Sequence, residues 1–585
     1  MDQAQLALPF VDKIGLPFAD KIHKIKYRSG DETFTESMWR LARALSDNEE
    51  AEFFDERATR LYLILRNQRF LPGGRIQAAI GSGRNITALN CYVMDTIPDS
   101  LDGIMRVASE AAETLKRGGG VGFDFSTLRP RNSEIVSMKT ESSGPVSFME
   151  IFDAICGTIK SAGWRRGAMM GVMSVEHPDI LEFVRAKQNS TRLTNFNISV
   201  SVSDKFIDAV RKDLYWNFKF QEGSQYDGSM RAREVWDIIM ESAWDYGEPG
   251  VIFIDHINKY NNLWYCEDIQ ATNPCGEQPL PPYGACALGS FNLPAYIERS
   301  DDGSWVFNHE LFLEDIPSVV RMMDNMLDEA IYPLDQQREE SLNKRRLGLG
   351  FTGVANALEA LGHPYGSPDF IVALEGFYSD LANEAYRASA ELAKEKGAFP
   401  AYDRDAYLQS HYITERIDPF IQTQIKKWGI RNSHLVSQAP AGTISLGAGN
   451  VSSGIEPVWA YEYYRRDLDK YTEFVPELLT DYGWRVFGVK GKLAKDCSTS
   501  SHLNVLDVAS RYCDSGVSKT INVSGDCDFD LFKNIYMEAW MGASVKGCTA
   551  FRIDGQREGV MVDEAAERSG GACTIDPTSG KKSCD

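Results

Sequence analysis

From about residue 85 to residue 460, short β-branched and aromatic runs alternate with amphipathic stretches, and no other feature of the chain narrows the fold as far. NFNISVSVS, GVIFID and LGLGFTGV have the composition of strands, while SLDGIMRVASEAAETLKR and SGPVSFMEIFDAICGTIKSA place apolar residues at helical spacing. Parallel strands need long crossover connections, usually helices, so this order implies an α/β domain with a largely parallel sheet. Ahead of it, residues 36 to 70 read as amphipathic helices that LPGG at 71 to 74 interrupts. The expected organisation is a helical region over 1–70, an α/β body over 71–560 and a tail over 561–585. That tail is polar and Gly/Ser/Lys-rich, with few apolar groups to anchor it, and is expected to be mobile. No repeat at solenoid or propeller periods is present.

Composition excludes several classes of function. At 585 residues and 43% hydrophobic, the chain can bury a large core and exceeds a small binding module. A net charge of −21 opposes passive tracking of a nucleic-acid backbone, which needs a basic face. No apolar run of about 18 residues appears, and the N-terminus lacks the basic start, apolar block and cleavage site of a secretory signal. A cytoplasmic protein without nucleic-acid or membrane partners is expected. The 11 cysteines are an odd number in a chain without such a signal, which argues against a static disulfide framework. They form no CxxC pair and no close Cys/His quartet, so no protein-bound metal is expected. For any one cysteine, packing as a small hydrophobe is the plain reading.

The chemistry begins at TNPCGEQPL, residues 272 to 280, where Asn273, Cys275 and Glu277 take alternate positions. In an extended segment such residues point to one side. An amide, a thiol and a carboxylate on one face can hold a diol, abstract from it and move a proton. Pro274 and Gly276 make the segment a loop rather than a ladder strand, and an ordinary turn with an incidental cysteine is the competing reading. A second segment, APAGTIS, offers the backbone N–H groups of Ala441, Gly442, Thr443, Ile444 and Ser445 to an anion, expectedly at a helix N-terminus. Thr443 and Ser445 are its expected side-chain contacts; a Gly/Ser turn alone is weak evidence. KRGGGVGFDF at 116 to 125 follows a helix and enters a strand, the reverse of the dinucleotide-binding order, which excludes a Rossmann reading.

TNPCGEQPL closely resembles the radical-cysteine loop of the ribonucleotide reductases, and four other segments are similar to the same family in the same order. LNCYVMDTIPDSLDGI (89–104) resembles the first redox-cysteine segment with its effector-binding Asp-Ser. SAGWRRGAMMGVMSVEHPDILEFVRAKQ (161–188) resembles the loop joining effector and active sites, GACALGSFNL (284–293) the second redox-cysteine segment, and QAPAGTISLGAGNVSSGIEPVW (438–459) the phosphate-binding turn. The resemblance spans about residue 17 to 560 and implies a ten-stranded α/β barrel with the radical loop through its middle. It also implies roles. Cys275 would carry the thiyl radical that removes the 3′-hydrogen of a ribonucleoside di- or triphosphate, Glu277 would take the 3′-hydroxyl proton, and Asn273 would bind the ribose hydroxyls. Cys91 and Cys286 would supply the reducing equivalents and become a disulfide. Asp99, Ser100, Arg165 and Arg166 would bind a deoxynucleoside triphosphate effector at a homodimer interface, with pairing of the arginines to surface acids as the alternative. No ATP-cone module is recognisable, so ATP/dATP on–off control is expected to be missing.

The radical source is read from the segment ASVKGCTAFRIDGQREGVM. Family members served by a separate metal-containing subunit use two adjacent tyrosines near the C-terminus, whereas this segment has Phe551 and no tyrosine follows Tyr536. Phenylalanine has no phenolic O–H to relay a proton-coupled oxidation. The segment instead resembles the adenosylcobalamin-dependent class, which makes adenosylcobalamin the expected cofactor. A catalytic subunit needing a small radical-generating partner, and a catalytically silent nucleotide-binding homologue, are the alternatives. A glycyl-radical motif is absent, and Tyr461, Tyr463 and Tyr464 are expected to pack or line a pocket. In the tail, Cys573 and Cys584 would shuttle electrons from thioredoxin or glutaredoxin to the buried pair.

Overall fold

The computed structural model describes residues 17–135, 138–159, 167–188, 192–220, 228–465 and 478–552, with the backbone of 561–563, 574–575 and 582–583. Three helices open it, Pro17–Lys26, Phe34–Ala44 and Ala51–Arg66. The amphipathic helices expected over 36–70 are the second and third of these. The second starts at a capping box, in which Thr33 Oγ1 accepts from Glu36 N and the Glu36 carboxylate accepts from Thr33 N. Its apolar stripe buries Met38, Leu41 and Ala42.

Ten strands build the main sheet: β1 (Phe70–Pro72), β2 (Cys91–Val93), β3 (Gly120–Asp124), β4 (Met169–Ser174), β5 (Phe196–Val202), β6 (Gly250–Phe253), β7 (Ala285–Asn292), β8 (Leu347–Thr352), β9 (Thr520–Val523) and β10 (Gly547–Arg552). Their order is β1-β7-β2-β3-β4-β5-β6-β10-β9, with β8 on the other side of β7. From β2 to β6 every pairing is parallel, as the helical crossovers predict. The pairings β2/β7 and β6/β10 are antiparallel and join this half to two further parallel pairs, β7/β8 and β9/β10. Segment 434–438 lies between β8 and the run leading into β9. Leu347 N and Leu349 N donate to its carbonyls on one side, and on the other Ser515 N donates to Val436 O and Gln438 N to Gly516 O. Backbone bonds thus connect the two ends of the sheet.

The crossover helices cover the outside. Leu101–Lys116 starts at Ser100, whose Oγ accepts from Gly103 N at 3.1 Å, and buries Ile104, Val107, Ala108, Ala111 and Leu115. Phe152 of Pro145–Thr158 meets Phe123 and Phe125 edge-on at 4.9 and 5.6 Å. Each such ring contributes about 1.5–3 kcal/mol by burial, so this layer anchors β3 firmly. Inside the ring runs a hairpin, Ala271–Thr272 paired antiparallel with Pro279–Leu280. The enclosing strands make room for it with glycine. A Cβ on Gly122 of β3 would lie 1.9 Å from Thr272 O, and one on Gly516 would lie 2.9 Å from both Gly276 O and Glu277 O. Contacts from both sides of the ring therefore enclose the hairpin tip.

Candidate active site

The tip of the hairpin is residues 273 to 278. Gly276 N donates to Asn273 O at 3.1 Å, and Asn273 N to Gln278 O at 3.1 Å. Gly276 has φ +81°, which a side chain would strain, so its lack of a Cβ fixes the turn. The expectation that Asn273, Cys275 and Glu277 share a side by alternation in an extended segment is corrected: a turn brings Asn273 and Glu277 together, and Cys275 stands at the exposed apex. Proline and glycine inside the triplet prevent a regular pleat.

Cys91 and Cys286 meet across the sheet. In the antiparallel β2/β7 pairing they are directly opposite residues. Opposite residues of such a pair have Cα atoms about 4.5–5.5 Å apart, within the roughly 4.4–6.8 Å that a disulfide spans. Both are buried and pack with Leu288 and Ala439. Asn273 Nδ2 donates to Cys91 Sγ at 3.0 Å, and Cys91 Sγ lies 4.0 Å from Glu277 Oε1. Asn273 Oδ1 accepts from Gln278 N at 2.9 Å, which fixes which way the amide faces.

Burial dominates the electrostatics here. It pushes the Cys91 thiol well above its usual range, and Glu277, Cys275 and Cys286 add to the effect. Burial likewise raises Cys286. Both therefore persist as thiols, the form that can give up hydrogen. Glu277 is raised to about 7 by burial, against a smaller opposing effect of the Asn273 amide. Its Oε2 has no hydrogen-bond partner among the described residues. A buried acceptor left open beside a dithiol is suited to receive a donor from a bound molecule.

The profile of the ribonucleotide reductase barrel domain matches residues 89–484, which takes in the hairpin and both cysteine strands. The chain belongs to this reductase family. It is 35% identical over 505 residues to a vitamin B12-dependent ribonucleoside-diphosphate reductase of Thermoplasma acidophilum, covering 82% of this chain and 63% of that protein. It is 34% identical over 539 residues to the protein of the same name from Mycobacterium tuberculosis, covering 87% and 74%. A ribonucleoside-diphosphate reductase subunit alpha of Chlamydia pneumoniae is more distant, 24% identical over 73% of this chain and 45% of its own. The ten-strand α/β body expected of a reductase is thus observed.

The remaining sequence-predicted residues of the reductase chain divide into three groups. The phosphate-turn residues come next to the cysteines, because Ala439 packs on the pair and helix Gly442–Gly447 follows at once. Ala441 takes a left-handed φ of 56°, and the N–H groups of Gly442, Thr443 and Ile444 begin the helix, where no intrahelical acceptor serves them. Ser445 differs from expectation: its hydroxyl is buried, donating to Ala441 O and pairing with Thr352 Oγ1 at 2.7 Å, so it braces the turn. The second group, Asp99 and Ser100, is built into the fold, with Asp99 paired to Arg129 at 2.8 Å and Ser100 capping its helix. The third, Arg165, Arg166, Cys573 and Cys584, lies outside the described residues, as does most of the tail. Tyr461 and Tyr463 pack as expected, their hydroxyls donating to Gly491 O and Asn450 Oδ1, each at 2.8 Å. Among the described residues no helix is long and apolar enough to cross a membrane, and no cluster of three metal-ligating side chains occurs.

Sequence reasoning missed the residues that hold the tip. Asn197 Nδ2 donates to Pro274 O at 2.9 Å, Ser437 Oγ to Glu277 O at 2.9 Å, and Gly516 N to Glu277 O at 2.8 Å. A signal existed for the first, since NFNISVSVS alternates Asn197, Ser199 and Ser201 with apolar residues in a strand flanked by strands on both sides. A polar face turned into a ring has a polar neighbour to meet. Ser437 and Gly516 carry no local signal.

Proposed function

We propose that the chain reduces ribonucleotides to 2′-deoxyribonucleotides by radical chemistry in the cytoplasm. The observation that carries this reading is the opposition of Cys91 and Cys286 beneath Asn273 and Glu277 in a chain of the reductase family. In the proposed sequence a thiyl radical on Cys275 takes the ribose 3′-hydrogen, and Glu277 takes the 3′-hydroxyl proton through its open carboxylate oxygen. Asn273 orients the diol. The 2′-hydroxyl leaves as water while the two thiols give up two hydrogens: one ribonucleotide and one dithiol become one deoxyribonucleotide, one water and one disulfide. Cys275 then recovers its radical by returning a hydrogen to C3′. A raised carboxylate matches this work, because a base titrating near neutrality exchanges protons readily in both directions. The substrate phosphates sit on the N–H groups of Gly442, Thr443 and Ile444, beside the cysteine pair.

Adenosylcobalamin is the proposed radical source, in line with the names of the relatives above. The tip suits it, for Cys275 and Asn197 are both exposed and a Cβ on Gly276 would find no heavy atom within 4 Å. A bulky group could be held there against Cys275 and Gly276, and when bound it supplies a cobalt–carbon bond whose homolysis oxidises a thiol. A deoxynucleoside triphosphate effector at Asp99, Ser100, Arg165 and Arg166 of a homodimer, and reduction by thioredoxin or glutaredoxin through Cys573 and Cys584, complete the proposal. The test is an assay of the purified chain with CDP or CTP and a small dithiol, with and without adenosylcobalamin. Turnover that depends on the cofactor and vanishes in Cys275→Ser is expected; turnover only with an added metal-containing subunit would overturn the cofactor, and full activity of Cys275→Ser the mechanism.

A further inference from the structure

Two buried charges beneath the ring closure have no part in the chemistry above. Lys546, at the edge of β10, turns its ammonium to three backbone carbonyls in a row, those of Cys513 (3.2 Å), Asp514 and Ser515. It is 7% exposed and the described contacts give it no carboxylate within ion-pair distance. Asp514, 2% exposed, spends its carboxylate on the facing segment: Oδ2 accepts from Leu435 N at 2.6 Å and from the Tyr386 hydroxyl at 2.7 Å, and both oxygens lie 3.2 Å from Val436 N. A lysine thus gathers one backbone turn and an aspartate ties that turn to its neighbour. Burying both charges costs free energy, which bonds to backbone dipoles and their attraction for each other only partly offset. Ordinary ladder closure would need neither.

What these charges hold is the tip of the hairpin. The turn gathered by Lys546 continues into Gly516, whose N–H donates to Glu277 O, and the segment tied by Asp514 continues into Ser437, whose hydroxyl donates to the same oxygen. Ser437 Oγ also lies 3.3 Å from Gly516 O. One carbonyl, that of Glu277, is therefore the meeting point of both segments. The Glu277 carboxylate is held by the Asn273 amide and its own backbone N–H, with the Cys91 thiol 4.0 Å away, so the height of its backbone sets where it stands against Cys91.

We propose that Lys546, Asp514 and Ser437 are positioning residues that clamp the Glu277 backbone and so fix its carboxylate between the dithiol and the substrate hydroxyl. The inference rests on the role of Glu277 proposed above. Placement errors of an ångström can cost on the order of a hundredfold in rate, so a clamp built from two buried charges has a function to serve. Burial lowers Lys546 to about 8 and raises Asp514 to about 6, so holding both charged near neutrality works against their burial.

The test uses Ser437→Ala, Lys546→Met and the double variant of the full chain. The Glu277 carboxyl is followed by its infrared band, identified as the one lost in Glu277→Gln, with Cys91 and Cys286 the titratable groups facing it. Each single variant is expected to move the Glu277 titration midpoint by half a pH unit or more and to lower kcat by about tenfold, with KM for CDP or CTP within about twofold. Ser437→Thr, which keeps the hydroxyl, is expected to restore both. The double variant should lose less than the product of the singles, as residues acting on one carbonyl do. If Lys546→Met fails to fold, Ser437→Ala, which removes a single oxygen, carries the test. A folded Ser437→Ala with unchanged midpoint and unchanged kcat would overturn the proposal. A shifted midpoint in a chain that shows no reductase activity would uphold the clamp and overturn the reaction assigned to Glu277.

Discussion

Glu267 lies just ahead of the hairpin and Glu277 ten positions on in its tip; both side chains are buried, and they are treated in opposite ways. Burial alone would raise Glu267, but Arg346 and Lys344 outweigh it and bring the carboxyl down to about 2. Lys344 Nζ stands 2.8 Å from it, Arg346 reaches both its oxygens, and Asn261 adds a bond at 3.0 Å. Glu277 has the burial without the cations, rises to about 7 and keeps an oxygen open. Glu267 is paired until it no longer titrates near neutrality, whereas Glu277 is left able to change charge.

Substitution separates the two most sharply. Glu277→Gln is expected to lower turnover by about 10²–10⁴-fold while urea denaturation at pH 7 finds stability unchanged or slightly raised, since an ionisable group has left a poorly solvated place. Glu267→Gln should do the reverse, costing about 3–5 kcal/mol in the same denaturation, because Arg346 and Lys344 lose a charge they were buried with. Activity per folded molecule should stay within about threefold. A large loss of turnover in well-folded Glu267→Gln would erase the distinction.

Acidity draws the comparison along a second axis. Glu277, raised from 4.5 to about 7, contributes stability that is full below 4.5 and is lost as pH rises through about 7. Glu267, lowered from 4.5 to about 2, contributes stability present above 4.5 and lost only as pH falls through about 2. Between pH 5 and 8 the wild-type chain should therefore lose stability relative to Glu277→Gln, measured as a difference in urea midpoint, and Glu267→Gln should leave that slope alone. Over the same range turnover should fall about tenfold for each unit below pH 7, where the base is protonated. The smallest effect is expected for Lys344→Met: Arg346 still holds Glu267, so about 1.5 kcal/mol is lost in denaturation with no change in the pH–rate profile.

Much of this was legible in the chain. The alternation of strand and helix patterns gave the parallel half of the sheet, and the cysteine motifs marked Cys91, Cys275 and Cys286 individually. The pairing of Cys91 with Cys286 came from the resemblance alone and not from local spacing, because strand register between β2 and β7 depends on the order of strands in the sheet. The turn at 273–276 was half legible: Pro274 and Gly276 announced a loop, but its direction follows from contacts with Asn197, Ser437 and Gly516, each far away in sequence. Ser445 misled because a hydroxyl in a Gly/Ser turn looks available until Thr352 is brought beside it. Glu267 and Glu277 show the same limit, since the cations that set them apart come from residues 344 and 346.

The bonds from Ser437 and Gly516 to Glu277 have a consequence for biosynthesis. A ribosome releases the chain from its N-terminus, and domains fold as they emerge. β2 and β7 can pair once residue 292 is out, and Asn197 is already present, but the partners of the Glu277 carbonyl follow only with residues 437 and 516. Contacts this distant are slow to form, because the loops they close are long. A nascent chain therefore carries its dithiol well before it has a seated hairpin, and the centre is assembled only when the late strands arrive to enclose it.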